Sequence, residues 1–384
     1  MEEWTFICPT KIYFKNDGLK DIGNIIKDNN YSKIFLIYGK DSFIKSGNYN
    51  TVTTSLKENK IEFKEASGVG ANPDISFVRE VSKTVKEYNP DLILACGGGS
   101  VIDAAKSIAH AYYYDKDPLD FNKKIAIPTK SLPLGVVLTL SASGSEMSNS
   151  CVISDRENNF KSGFNHYTNY PTFALLDPTL TYSVSPFQTA CGLVDILSHS
   201  FERYFCTSQK FELSDYLALS VIKQIIELSP TVMNNPNDYE ARRAMMLCGS
   251  FSHNGWTGFG KTTKMHCHGI EHTLSGRHPE IAHGEGLRFL LAEFIKVNYD
   301  LLKDKIAKFG KFVFDENNQY VFESIMYSAM TLYSNGGASR SRLTESHKQW
   351  EAMLASKKEE KLSRTQELNT AKIRALRELG YTEI

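Results

Sequence analysis

Six apolar runs rich in β-branched residues crowd the first half of the chain, and no such run follows residue 183. They are KIFLIYG (33–39), IEFKEASGV (61–69), DLILACGGG (91–99), KIAIPT (124–129), LGVVLTLSA (134–142) and TFALLD (172–177), bounded by Gly, Pro or Asp. Between several of them apolar residues return at helical spacing, in DIGNIIKD (21–28), TVTTSLKENK (51–60), ISFVREVSKTVKEY (75–88) and VIDAAKSIAHAYY (101–113). Strands alternating with helices build βαβ units, so a mostly parallel sheet is expected. Past 183 only helical spacing remains, in TACGLVDILSHSFERYF, SDYLALSVIKQIIELS, YEARRAMMLCGSFSHNGWTG and GEGLRFLLAEFIKVNYDLLKDKIAKFG. The expectation is an α/β domain over 1–183, an all-helical domain over 184–384, and a cleft between them. A length of 384 residues accommodates two domains.

Charge and cysteine usage narrow the setting. Lys and Arg (44) balance Asp and Glu (44), so nothing favours a nucleic-acid groove or an anionic membrane surface. The opening MEEWTFICPTKIYF has no basic segment leading into an apolar one, and no stretch reaches the roughly 18 apolar residues that cross a bilayer. Seven cysteines, odd in number and dispersed without a CxxC pair, read as reduced thiols. A cytoplasmic protein is expected.

Two motifs carry chemistry. In ACGGGSVIDAAK (95–106) an apolar strand ends at Cys96, three glycines follow, and a helix begins near Ser100. Glycines without Cβ atoms and a helix N-terminus with free N–H groups suit a pyrophosphate. A glycine loop also serves as an ordinary strand-to-helix turn, and the spacing matches neither common nucleotide fingerprint. The second motif is in two pieces. Asp195 and His199 are four apart in GLVDILSHSFERY, hence on one helix face, and MHCHGIEHTLSGRHPEIAHGEGL (265–287) gathers five of the ten histidines. His268 and His272 are again four apart, and His283 follows a turn containing Gly276 and Pro279. A carboxylate with two or three imidazoles suffices for a catalytic divalent site, and an all-N/O donor set suits Fe²⁺, Zn²⁺, Co²⁺ or Ni²⁺. A histidine-rich surface helix is the plainer reading.

Taken together, GGGSVIDAAK, VVLTLSASGSEMSNSCVIS (136–154), GLVDILSHSFERYF and HGIEHTLSGRHPEIAHGEGL resemble the iron-containing (group III) alcohol dehydrogenases. The NADPH-dependent butanol dehydrogenase and aldehyde reductase branch is the nearest in character, over about residues 5–310. The resemblance implies a Rossmann-like cofactor-binding domain ahead of the helical metal and catalytic domain. It implies one divalent metal, Fe²⁺ with Zn²⁺ as the alternative, held by Asp195, His199, His268 and His283. His272 would then lie beside nicotinamide and substrate, while His266 and His278 gain no role and are expected at the surface. The pyrophosphate would rest on Gly98, Gly99 and Ser100 with Asp103 nearby. Thr139, Ser141 and Ser148 would run along the cofactor, and Lys161 would meet its ribose.

In YGKDS (38–42), Gly39, Lys40 and Ser42 fall where the adenosine ribose is expected. Family members that prefer NAD often carry an acid there; Lys40 offers attraction to a 2′-phosphate, so NADP(H) is favoured over NAD(H), with neighbouring Asp41 opposing it. The implied reaction is hydride transfer between NADP(H) and a primary aliphatic alcohol or aldehyde such as butanol or butanal, in a homodimer. An NAD-linked polyol dehydrogenase and a dehydroquinate-synthase-like lyase are the rival readings. Residues 337–384 depart from the family's usual hydrophobic helix pair, being polar and charged although LRELGY (376–381) resembles a family element.

Overall fold

The structure, a computed structural model, describes residues 4–206 and 212–314. The tail 337–384, and with it the end of the expected helical domain, lies outside the described residues.

The first half forms β1 (Lys11–Phe14), α1 (Ile22–Asp28), β2 (Lys33–Tyr38), α2 (Asp41–Lys45), α3 (Asn48–Glu58), β3 (Glu62–Ala66), α4 (Ile75–Tyr88), β4 (Leu92–Gly97), α5 (Gly99–Ala111), α6 (Leu119–Asn122) and β5 (Leu134–Leu138). An antiparallel hairpin, β6 (Ser150–Asp155) and β7 (Phe160–Asn165), precedes β8 (Phe173–Leu176). The six other strands make one parallel sheet in the order β1-β8-β5-β4-β2-β3. Every residue of β4 is buried, as a strand covered by helices on both faces must be. Helix α4 shows how sequence becomes packing. Ile75, Val78, Val81 and Val85 form its buried stripe, and the Asp74 carboxylate caps it by accepting from Ser76 N at 2.9 Å.

Chain order reverses beside β2: β3 lies on one side and β4 on the other. At such a switch point the loops after neighbouring strands diverge to opposite faces and leave a crevice at the carboxyl ends. Tyr38 pairs with Cys96, so Gly39 and the three-glycine loop stand at the same edge of the sheet.

One expected strand is absent. Residues 124–129 join no ladder, and Ile125 and Ile127 are 69% and 77% exposed. The amides of Ile125 and Ala126 instead donate to Asp120 O at 2.8 and 3.3 Å, closing a turn at the end of α6 in which Lys124 has φ 58°. Once those amides are used locally, alternating hydrophobicity has no partner strand to act on. Strand β1 and the β6–β7 hairpin were not anticipated.

The second half is helical throughout its described residues: α7 (Pro186–Tyr204), α8 (Glu212–Asn234), α9 (Tyr239–His253), α10 (His266–Arg277), α11 (His283–Val297) and α12 (Tyr299–Phe314). The run 284–310 is divided at Asn298 into two helices. Ser185 caps α7 by accepting from Gln188 N at 3.3 Å, with Pro186 in the first turn where its missing N–H costs nothing. Helix α7 is buried on nearly every side and forms the axis of this domain, its apolar residues in one core with those of α8, α9, α11 and α12. No helix among the described residues is long and apolar enough to cross a membrane.

Candidate active site and metal centre

A single cleft of about 1270 Å³ runs between the domains, from Gly39 and Lys40 past Gly98–Asp103 to Asp195 and the histidines. Its α/β wall is mainly backbone. Gly98 is the N-cap of α5 without a side-chain cap; Val101 N already donates to Gly98 O at 3.0 Å, so the amides of Gly99 and Ser100, both in the cleft lining, are the ones left without a carbonyl of the helix. A Cβ on Gly99 would stand 2.2 Å from Ser143 Oγ; the glycine lets the serine-rich loop close over this helix end.

That loop is held from behind. Lys106, buried, shares its three N–H donors among Ser145 O (2.7 Å), Ser145 Oγ (2.8 Å), Ser148 O (3.1 Å) and Ser150 O (2.7 Å). Asp103 accepts from Ser145 Oγ at 2.6 Å and from Val152 N at 3.0 Å, so both its oxygens are occupied by protein. Burial pushes the Lys106 ammonium below its ordinary pKa and the Asp103 carboxyl above its own, each opposed by the other's charge. Gly39, Lys40, Ser42, Ser100 and Ser148 line the cleft; Thr139 and Ser141 lie outside its lining, with Thr139 N bonded to Gly97 O at 3.1 Å. Lys161 also lines the cleft, but its ammonium is directed into the helical domain.

The helical wall is made of side chains. Asp195 Oδ1 lies 3.7 Å from His199 Nδ1, 3.8 Å from His268 Nε2 and 3.7 Å from His283 Nε2. These separations exceed a hydrogen bond, and Asp195 Oδ1, His199 Nδ1 and His268 Nε2 are buried without any partner. Stranding three buried polar atoms against one another costs several kcal/mol unless something joins them. Ligand bonds of about 2.1 Å opened to a tetrahedral angle place donor atoms roughly 3.4 Å apart. Asp195, His199 and His268, whose donor atoms all lie within 4.8 Å of one another, fit one divalent ion, and His283 approaches them through Asp195.

Three features bring these side chains together. Asp195 and His199 share a face of α7. Helix α10 begins next to that face because Glu202, one turn further along α7, accepts from the amides of Cys267 (2.6 Å) and His268 (3.2 Å), where α10 has no cap of its own. Helix α11 then starts against α7 so closely that a Cβ on Gly284 would lie 2.3 Å from Cys191 O, which puts His283 beside Asp195.

Behind the imidazoles stand two carboxylates that the sequence reading did not single out. His268 donates from Nδ1 to Glu202 Oε2, and His283 donates from Nδ1 to Glu271 Oε2. Each bond keeps a proton on Nδ1 and turns Nε2 toward Asp195, the arrangement that orients histidine ligands in metalloenzymes. Burial disfavours the His268 imidazolium, but the Glu202 and Asp195 carboxylates outweigh it and raise its pKa to about 9. Burial raises the Glu271 carboxyl, but His283 and Lys161 outweigh it and hold the group well below the usual carboxylate range. Their signal was legible as spacing: Asp195, His199 and Glu202 are i, i+4, i+7, and His268, Glu271, His272 and Ser275 continue the same pattern on α10.

His253 on α9 also lines the cleft, its ring 4.0 Å from that of His199, with Nδ1 3.3 Å from the buried Arg203 guanidinium. His272 packs parallel to His283 at 5.4 Å, and burial together with Lys161 holds its imidazole well below the ordinary pKa, hence neutral. His266 and His278 are exposed. Cys267 is buried, and burial raises its thiol.

A switch-point glycine loop facing a buried carboxylate–imidazole cluster across one cleft is the layout of a dinucleotide- and metal-dependent oxidoreductase. Family models agree: iron-containing alcohol dehydrogenase matches residues 9–178, and the C-terminal part of the Fe-containing alcohol dehydrogenase family matches 189–369. The chain belongs to the iron-containing alcohol dehydrogenase family, and it is an enzyme of the alcohol–aldehyde couple with a nucleotide cofactor. It is 40% identical over 309 residues to NADH-dependent butanol dehydrogenase A of Clostridium acetobutylicum, covering 80% of this chain and 78% of that one. It is 29% identical over 318 residues to the NADPH-dependent aldehyde reductase YqhD of Escherichia coli, covering 82% and 81%. The crystal structure of NADH-dependent butanol dehydrogenase A from Thermotoga maritima matches with a TM-score of 0.83 at 32% identity, over 88% of this chain and 85% of that one.

Proposed function

We propose that the protein reduces short primary aliphatic aldehydes such as butanal, with NADPH favoured over NADH and one Fe²⁺ held by Asp195, His199, His268 and His283. The observation that carries the reading is the Asp195 carboxylate oxygen, buried without a partner and 3.7–3.8 Å from three imidazole nitrogens. When bound, the ion supplies a Lewis acid for a carbonyl oxygen and the dinucleotide supplies the hydride.

The chain's own residues do the rest. Glu202 and Glu271 keep the His268 and His283 rings turned so that Nε2 can bind, and Asp195 sets their common focus. The amides of Gly98, Gly99 and Ser100 are free to take the pyrophosphate, with Ser148 further along the cleft. His272, neutral and beside His283, is placed to exchange a proton with the product oxygen.

Cofactor choice turns on this chain's own residues, since the relatives above include proteins named for NADH and for NADPH. Lys40 is exposed at the cleft wall, and Asp41 next to it is paired with Lys45 at 3.1 Å. That pairing partly offsets a carboxylate that would repel a 2′-phosphate. The unpaired, dispersed thiols support a reducing, cytoplasmic setting, and size-exclusion chromatography tests the homodimer.

Anaerobically purified enzyme should contain close to one equivalent of iron and oxidise NADPH at 340 nm with butanal, with a higher kcat/KM than for NADH. Absence of bound divalent metal would remove the ligand assignment, and a higher kcat/KM with NADH would remove the cofactor preference alone.

A further inference from the structure

Lys161 stands on β7 in the α/β domain, yet its ammonium ends inside the helical domain. Nζ donates to Ser275 Oγ at 2.7 Å and to Asn72 Oδ1 at 3.0 Å, and lies 3.3 Å from Glu271 Oε2. The Lys161 and Glu271 side chains are 4% and 0% exposed. An ammonium has three N–H donors, and these three acceptors match them in number. The same Glu271 oxygen accepts from His283 Nδ1, and His283 Nε2 faces Asp195 Oδ1. Polar contacts therefore run without a gap from a hairpin of one domain to the metal cluster of the other.

A second contact follows the same route. Asn72, which receives Lys161 through Oδ1, donates from Nδ2 to Pro279 O at 3.3 Å, on the connector that leads from α10 into His283. Helix α10 lies directly on the hairpin, since a Cβ on Gly276 would be 3.1 Å from Lys161 N. Glu271 Oε1 is buried without a partner, so Oε2 alone fixes the orientation of the carboxylate.

We propose that Lys161 is a positioning residue for the metal ligand His283, acting through Glu271, and that the metal site is thereby completed by the α/β domain. This rests on the ligand assignment proposed above. Lys161 holds the same Glu271 oxygen that accepts from the imidazole; without it, the carboxylate is free to turn and the His283 ring loses its fixed direction.

The test uses the full chain, stripped with chelator and titrated with Co²⁺ while the d–d absorption is followed. Glu271→Gln should weaken Co²⁺ binding about 10- to 100-fold. Lys161→Met should weaken it about tenfold and alter the d–d spectrum, and the double variant should match Glu271→Gln within about twofold, because one residue acts through the other. Dinucleotide affinity of the metal-free Glu271→Gln protein, read by NADPH and NADH fluorescence, should stay within about twofold of wild type. Should the methionine variant fail to fold, Lys161→Gln keeps a donor of similar reach and should shift Co²⁺ affinity in the same direction. Wild-type Co²⁺ affinity and spectrum in the folded Lys161 variant would overturn the proposal, whatever its dinucleotide binding. Wild-type Co²⁺ affinity in His283→Ala would instead bring down the ligand assignment on which it rests.

Discussion

The two walls of the cleft are made of different material. On the α/β side the surface offered to a ligand is backbone: glycine amides at the start of α5 and a serine-rich loop, held from behind by Lys106 and Asp103. On the helical side it is side chains: one carboxylate and three imidazoles, held from behind by Glu202 and Glu271. The difference follows from what each ligand demands. A pyrophosphate is large and diffusely charged, and several N–H groups in a curved backbone satisfy it. A divalent ion is small and requires lone pairs at fixed points, which only side chains of the right chemistry supply. Each wall thus has its own weak point, a strut behind the loop on one side and the ligand itself on the other.

Removing a ligand should have the larger effect. Asp195→Ala deletes the group on which the three imidazoles converge, and is expected to lose the metal and reduce turnover on the order of a thousandfold, about 4 kcal/mol of barrier. The metal-free variant should unfold in urea close to metal-free wild type, because α7 is held by its apolar packing. Metal retained with near-normal turnover would show that the two walls do not divide the work in this way.

Removing a strut should read out as stability. Lys106→Met leaves the carbonyls of Ser148 and Ser150 without this donor inside the protein, at a cost of about 3 kcal/mol. It should also raise the KM for the dinucleotide while leaving iron content unchanged. A lowered urea midpoint together with lost metal would mean that the walls are one mechanical unit.

The smallest effect is expected at the rim. Lys40→Asp replaces an exposed attraction by a repulsion, each worth up to about 1 kcal/mol, so the NADPH-to-NADH ratio of kcat/KM should fall about tenfold. The shift should shrink as salt rises. An unchanged ratio at low salt would show that Lys40 does not face the 2′-phosphate.

Much of the framework was legible in the chain. Helix α4 spans the segment read from its apolar stripe, β2, β4, β5 and β8 fall on their hydrophobic runs, and strand signals stop where α7 takes over. KIAIPT misled because alternation shows which residues suit a strand, whereas a strand also needs a neighbour with free backbone groups; here the Asp120 carbonyl had taken those amides. The hairpin β6–β7 was hidden for the opposite reason. Its serines, Asp155, Gly163 and Asn165 are poor strand formers in isolation, and pairing of the two strands supplies the preference they lack.

What the sequence determined by itself is local: which faces are apolar, where helices are capped, and which donors stand four apart on one turn. Asp195 with His199, and the glycines ahead of Ser100, are set by covalent spacing and helix geometry, so they are fixed before the chain folds. Only the tertiary structure decided which of the many acids and lysines serve the metal. Glu202 earns its place because the uncapped start of α10 lands on it, and Lys161 because β7 lies against α10 closely enough to bury its ammonium. Both outcomes depend on desolvation. A buried charge keeps only the partners that packing delivers, and packing joins residues as far apart in sequence as 161 and 271, a relation that local spacing does not encode.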